Sequence, residues 1–271
     1  IYDAAQGKVI WVSGLQEGQP LGAIYAYKQL SIFQDAAEVV KIANNRYDAV
    51  ANITGPGLSF GAGKITAGDV NWMDVDRNDT IDSRDQVYIG NVNPKFTGGF
   101  STTLSYKGFS FITRFDYAVG HTLYNDLVTR VMGNYQGTFN FMNLSKEGFS
   151  GSNSRSDIPK VYWADQVGAP NGKKNLTRGN NAGQVLQGNN SNFYEKGDYL
   201  ACREITLSYD FGKELLSKTK IVSNARVFLN ANNLFYITKF SGNSPEPRNN
   251  GIFAGNYPTP KSYVLGVQVT F

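Results

Sequence analysis

Between Lys95 and Tyr106 apolar and polar side chains alternate with a period of two. Phe96, Phe100, Leu104 and Tyr106 share one face, and Thr97, Ser101, Thr103 and Ser105 the other. Successive side chains of a strand point to opposite faces, so this stretch predicts a strand with one apolar and one polar side. Lys107-Gly108 predicts a tight turn, and the return strand sets Phe109, Phe111, Phe115 and Tyr117 against Ser110, Arg114 and Asp116, which completes a hairpin. The pattern recurs from Tyr199 to Phe211, where Ile205, Leu207, Tyr209 and Phe211 oppose Glu204, Thr206, Ser208 and Asp210. It recurs again with Ala225, Val227, Leu229 and Ala231, although Phe228 interrupts the polar side, and it closes on Tyr263, Leu265, Val267, Val269 and Phe271. Weaker candidates near Val9 to Ser13 and Leu21 to Tyr27 bring the expectation to roughly seven strands.

The connections sort by parity. Those at Ser13 to Pro20, Lys107 to Gly108 and Phe211 to Val222 are short or moderate, whereas 28–94, 120–197 and 239–259 are long. In an up-and-down barrel every second connection emerges at the same rim, so all the long links lie at one end. Short turns on one side and long loops on the other are the pattern of an outer-membrane barrel. Tyr106, Phe109, Tyr209, Phe211 and Phe271 gather near the short-turn end, as an aromatic belt at a membrane interface requires.

Composition removes most other classes. Of 271 residues, 26 are Lys or Arg and 22 Asp or Glu, with no like-charge block, so the dense basic footprint of a nucleic-acid binder is missing. The single cysteine, Cys202, forbids an internal disulfide and a cysteine zinc cluster, and the single histidine, His121, leaves no usual triad or nucleophile-elbow chemistry. No catalytic residue is assigned, and an enzyme is not expected. Apolar runs fall short of the roughly 18 residues of a membrane helix, a limit that strands escape.

The sharpest local constellation runs from Asp74 to Asp85. Side-chain oxygens of Asp74, Asp76, Asn78, Asp82 and Asp85 occupy the first, third, fifth, ninth and twelfth places, and the Thr80 carbonyl the seventh. This is the ligand register of an EF-hand-type loop, in which a coiled chain returns alternate oxygens to a hard cation, so a Ca²⁺ site is expected here. Asp79 replaces the usual Gly at the sixth place, and Asp85 is shorter than the usual Glu, so weak affinity of about 10⁻⁴ to 10⁻³ M is expected. A solvated acidic turn is the other reading of the same residues.

Arg114, Asp116, Glu204 and Arg226 share the polar faces and are expected to line a hydrated lumen. Tyr135, Tyr162 and Trp163, within the longest loop, suit stacking on a sugar or peptide, or ordinary loop packing. His121 is expected as a loop or rim residue beside Gly120.

Several segments, in order along the chain, resemble a known family. Gly197-Asp198-Tyr199-Leu200 leading into Arg203-Glu204-Ile205-Thr206-Leu207-Ser208-Tyr209, then Ala231-Asn232-Asn233-Leu234-Phe235, then Tyr257-Pro258-Thr259-Pro260-Lys261-Ser262-Tyr263 and the terminal Val269-Thr270-Phe271, are similar to the carboxy-terminal portion of SusC/RagA-type TonB-dependent outer-membrane transporters. Glu17 to Gly22, Tyr25 to Lys28, Ile32 to Gln34, Gly68 to Val70 and Ile89 to Phe96 resemble upstream segments of the same family. Ala201-Cys202 and Gln29-Leu30-Ser31 depart from its usual residues.

The resemblance implies an all-β fold, the carboxy-terminal arc of a large antiparallel transmembrane barrel over residues 1–271, with the plug domain and TonB-contacting part elsewhere in a longer protein. It implies import of a bulky oligosaccharide or oligopeptide across a Gram-negative outer membrane, with a SusD-like surface lipoprotein as partner, the TonB complex as energy source and membrane lipid around the wall. Phe271 resembles the terminal aromatic that signals barrel assembly. A secreted calcium-dependent carbohydrate-binding β domain is an open alternative, as is a small stand-alone barrel. Substrate-binding residues are not assigned.

Overall fold

A computed structural model describes residues 2–3, 8–9, 18–38, 67–68, 70–73, 75, 85–129, 148–150, 158–159, 191–212, 216–219, 221–246 and 251–271. Its strands are β1 (Tyr2–Asp3), β2 (Lys8–Val9), β3 (Ala23–Tyr27), β4 (Gln29–Ile32), β5 (Val70–Trp72), β6 (Gln86–Asn91), β7 (Phe96–Tyr106), β8 (Phe109–Val119), β9 (Thr122–Asn125), β10 (Tyr194–Lys196), β11 (Tyr199–Asp210), β12 (Asn224–Thr238), β13 (Ile252–Phe253) and β14 (Ser262–Thr270). The chain divides into two compact units: Ile1–Val92 with Leu123–Glu195 and Asn249–Gly255, and Asn93–Thr122 with Lys196–Arg248 and Asn256–Phe271.

In the first unit β3 pairs antiparallel with β6, and β4 with β5. Met73 N donates to Lys28 O at 2.9 Å at the join, so the two pairs run on as one bent ladder. Both pairings carry a register shift, between Ile24 and Tyr25 and between Gln29 and Ser31, which is where the ladder bends. Ala26, Tyr27, Ile32, Phe33, Val70 and Trp72 form its buried core. Tyr25 meets Tyr88 edge to face at 5.7 Å, a geometry that aligns the positive ring edge with a negative face. The start is pinned where Gly22, at φ +80°, accepts from Val92 N at 2.9 Å and Leu21 O accepts from Asn91 Nδ2 at 3.0 Å. Gln29, where the sequence departs from the resemblance, donates its backbone N–H to Ser191 Oγ at 3.2 Å and accepts from Asn192 Nδ2 on its side-chain oxygen. The 28–94 segment, expected as a long loop, thus contains β4, β5 and β6. A smaller sheet in the order β10-β9-β13 belongs with this unit, and β1 pairs with β2.

The second unit is a five-stranded antiparallel sheet in the order β14-β12-β11-β8-β7, in which the strands follow one another in chain order while β9 and β10 fall between β8 and β11, and β13 between β12 and β14. Lys107 and Gly108 both take positive φ, +46° and +87°, as the tight turn between β7 and β8 requires. Of the roughly seven strands expected, five lie in this sheet; Ala23–Tyr27 pairs with β6 instead, and of the first candidate, Val9 to Ser13, only Val9 lies among the described residues, in β2 and paired with β1. Register assigns the faces. Tyr106 and Phe109, Leu104 and Phe111, and Phe100 and Phe115 oppose one another on one side, continued by Tyr209, Leu207, Val227, Leu229, Val267 and Leu265. Most of this side is exposed, Leu265 by 75% and Val267 by 69%. Phe100 stacks on Phe115 at 5.0 Å and Phe109 tilts on Tyr209 at 4.5 Å.

Two irregularities displace the alternation. Between Cys202 and Glu204, β11 carries one residue more than β8, and opposite the same place β12 carries one more than β11, with Asn233 in the left-handed region at φ +53°. Bulges of this kind re-aim a side chain. Here Arg203 and Glu204 both contact groups on the polar face. β12 consequently runs on to Thr238, past the point at which period-two alternation ends at Ala231.

Candidate functional site

The polar face of the five-stranded sheet is lined by paired charges. Near the short-turn end Arg226 Nη2 donates to Ser208 Oγ at 2.7 Å, with its Nε 3.7 Å from Asp210. Further along, Arg114 Nη1 lies 3.3 Å from Glu204 Oε2, while Glu204 Oε1 accepts from Thr206 Oγ1 at 2.8 Å and Asn230 Nδ2 at 2.9 Å. Asn232 Nδ2 reaches Asn230 Oδ1 and, at 3.2 Å, Ser262 Oγ. The structure therefore brings Arg114 together with Glu204 and finds a separate partner for Arg226. Each is half-buried or exposed, so water screens these pairs and their value lies in a hydrated surface rather than in stability.

Asp116 belongs to the densest cluster, which centres on Arg203. The Arg203 guanidinium takes Asp116 through Nε and, at 2.9 Å, through Nη2. Its Nη2 also donates to Glu246 Oε1 at 2.7 Å, and its Nη1 to the Tyr236 hydroxyl at 3.2 Å. Tyr236 donates to Glu246 Oε1 at 2.7 Å, and Tyr199 to Asp116 Oδ2 at 3.3 Å. The two tyrosine rings meet edge to face at 5.8 Å. A planar guanidinium with forked donors suits this bidentate arrangement, which a lysine would not reproduce. Arg203, Tyr236 and Glu246 are not candidates on alternation alone; the signal is the break in period at Cys202-Arg203-Glu204.

The Gly197-Asp198-Tyr199 motif is explained by what surrounds it. A Cβ at Gly197 would strike the His121 ring, Gly197 N donates to His121 O at 3.0 Å, and Asp198 Oδ1 accepts from Gly120 N at 2.6 Å. His121 is fully buried rather than at a rim; its Nε2 donates to Pro245 O at 2.9 Å and its ring meets Tyr199 edge to face. It is a packing residue for the strand ends. In the Ala231-Asn232-Asn233-Leu234-Phe235 motif, Asn233 supplies the left-handed bulge position, which Asn tolerates, and reaches Pro260 O at 3.4 Å.

Of the candidate cation ligands, Asp74, Asp76, Asn78, Thr80 and Asp82 lie outside the described residues, as do Tyr135, Tyr162 and Trp163. Asp85 is fully buried, and its Oδ1 accepts from Val75 N at 2.8 Å, which ties the two ends of the 75–85 segment together. Among the described residues no group of three or more His, Cys, Asp or Glu is placed to hold a metal. Phe271 follows β14 and is 82% exposed.

No family model matches the chain. Among curated proteins it is 28% identical over 282 residues to TonB-dependent receptor P39 of Formosa agariphila, covering 95% of this chain and 26% of that protein. It is 27% identical over 203 residues to TonB-dependent receptor SusC of Bacteroides thetaiotaomicron, covering 73% of this chain and 17% of SusC. The chain thus spans about a quarter or less of the length of these relatives. Among solved structures, that of the RagAB peptide transporter superposes with a TM-score of 0.63 at 22% identity, over 92% of this chain and 22% of the other. The open-open state of the RagAB peptide importer gives 0.62 over 95% of the chain. Strand topology, a sheet apolar on one side and ion-paired on the other, and these likenesses together make the chain similar, over most of its length, to part of the SusC/RagA-type TonB-dependent transporters and give it an all-β fold like a portion of their barrel.

Proposed function

We propose that this chain forms part of the wall and loops of a transporter that imports a bulky oligosaccharide or oligopeptide across the outer membrane, driven through TonB and working with a SusD-like lipoprotein. The observation that carries the reading is the two-sided sheet. Strands such as β8, of 11 residues, are long enough at about 3.4 Å per residue and a tilt of roughly 40° to cross an apolar band of about 25 Å. Their exposed apolar side then faces lipid and their paired charges face a watery lumen. A secreted carbohydrate-binding domain would leave that apolar side in water, which favours the membrane reading. The Formosa and Bacteroides relatives named TonB-dependent receptors support TonB coupling, and the RagAB peptide transporter supports an oligopeptide among the substrate choices.

The test is genetic and uses the whole protein in its native cell. Deleting its gene is expected to abolish uptake of one class of labelled oligosaccharide or oligopeptide, as does loss of TonB, and tagged protein is expected to co-purify with a surface lipoprotein from the outer membrane. Unchanged uptake of both classes, or recovery in the soluble fraction, overturns the reading.

The calcium loop is part of the same proposal. The register of oxygens from Asp74 to Asp85 and the Asp85 contact with Val75 that closes its base support it. Equilibrium dialysis of the full protein against millimolar Ca²⁺ is expected to find binding that the Asp76→Asn, Asp82→Asn double variant loses; no difference between the two removes the loop from the list of cation sites. Phe271 is assigned an assembly role on its exposure beyond β14, and Phe271→Ser is expected to slow folding into the membrane in pulse-chase.

A further inference from the structure

The segment after β12 turns back onto the polar face. Phe240 and Ser244 are buried, Pro245 O accepts from buried His121, and Glu246 reaches Arg203 and the Tyr236 hydroxyl. Two carboxylates therefore share one guanidinium, and they hold it differently. Asp116, from the middle of a paired strand, takes both Nε and Nη2; Glu246, from the returning segment, takes Nη2, which already serves Asp116. With Asp116, Glu246 and Arg203 the cluster carries one excess negative charge.

We propose that residues 240–246 form a strap closed on the lumen wall by Glu246, and that a carboxylate on an incoming ligand opens it by taking the place of Glu246 on Arg203. Exchanging one carboxylate for another leaves the charge of the cluster unchanged, and the Tyr236 hydroxyl that donates to Glu246 is there to donate to its replacement. The Arg203 side chain is 30% exposed, so the exchange site is open to water. The Asp116 pair stays made, which keeps Arg203 aimed while the strap leaves. The ligand chemistry is a carboxylate, whether the terminus of a peptide or the acid of a uronate sugar. This inference rests on the reading of the polar face as a lumen.

The experiment uses the full transporter in detergent, spin-labelled at Ser241→Cys on the strap and Ser101→Cys on the wall. A free-carboxylate octapeptide, its amide, an oligogalacturonate and its carboxyl-reduced form are the probes. Glu246→Gln is expected to broaden the distance distribution without ligand, and Arg203→Lys, which keeps a charge but not the fork, to broaden it partly. A free acid is expected to do the same to the unmodified strap at concentrations at least threefold below its neutral counterpart. A response to the peptide pair alone, or to the sugar pair alone, names the source of the carboxylate. An unaltered distribution in Glu246→Gln, or equal action of acid and neutral probes, overturns the strap. Labelling of Thr103→Cys by an impermeant maleimide in the same preparation separates the two ideas: a shielded Thr103→Cys overturns the lumen reading, whereas a labelled one with an unmoved strap overturns the strap alone.

Discussion

The ring of Phe228 on β12 stands over Gly266 on β14, its partner across the ladder, in the space that any Cβ at Gly266 would fill. This accounts for the apolar residue that interrupts the polar side of β12: the glycine provides a seat for it. Gly266→Ala is expected to destabilise the β12–β14 pairing by about 1–3 kcal/mol, the range for overpacking. Heat-modifiable gel mobility of the full protein reads the loss, and the double variant with Phe228→Ala is expected to recover most of it.

Leu265 sits at the middle of β14 on the exposed apolar side, and Ser101 on the polar side of β7. If the first meets lipid, Leu265→Arg costs about 2–4 kcal/mol near the midplane, whereas a lumen-facing change costs little. Assembly into the outer membrane is expected to fall sharply for Leu265→Arg and to stay near normal for Ser101→Arg. Equal loss in both contradicts the assignment of faces.

Asp85 is expected to matter without any cation. Replacing it by Ala leaves Val75 N without this acceptor, a loss of about 0.5–1.5 kcal/mol for a part-buried hydrogen bond. Tryptic cleavage at Arg77 or Arg84 is expected to quicken in Asp85→Ala and much less in Asp85→Asn, whose amide oxygen still accepts. The mobility of the assembled protein serves as control and is expected not to change.

Burial, and then the neighbouring Tyr124 at 5.1 Å, push the Tyr194 phenol up to about 12 from its ordinary 10.0. The folded state thus favours the neutral phenol more than the unfolded chain does. Its contribution is complete below pH 10 and is lost as pH rises from 10 towards 12. A difference titration at 295 nm between the native protein and Tyr194→Phe is expected to show one late ionisation step; a step near pH 10 contradicts it.

How far the sequence could be read depends on where the backbone keeps its period. β7 and β8 are free of bulges, and alternation finds them to within two residues. β12 is legible to Ala231 and then lost, because Asn233 turns left-handed and one extra residue moves the faces by one. Arg203 is hidden by the same device, and with it the cluster it builds. β4 and β5 are short, and Val70, Asn71 and Trp72 are all buried, so neither face is polar enough to produce a period. His121 reads as a rim residue until Gly197, 76 positions on, is seen to leave room for its ring. That separation is invisible to any local pattern.

The bent ladder of the first unit has a mechanical corollary. β5 and β6 are two lengths of one course, each clasped by its own partner, and the residues from Val75 to Asp85 leave and rejoin that course at points held by Met73 to Lys28 and by Asp85 to Val75. An excursion anchored in this way is decoupled from the register on either side. Lengthening it, shortening it or exchanging its acids between the anchors Val75 and Asp85 is expected to leave Tyr27 opposite Gln86 and Gln29 opposite Trp72. Evolution can therefore rewrite the residues between these anchors, with or without a cation, as a cassette, with the pairing that carries it left in place.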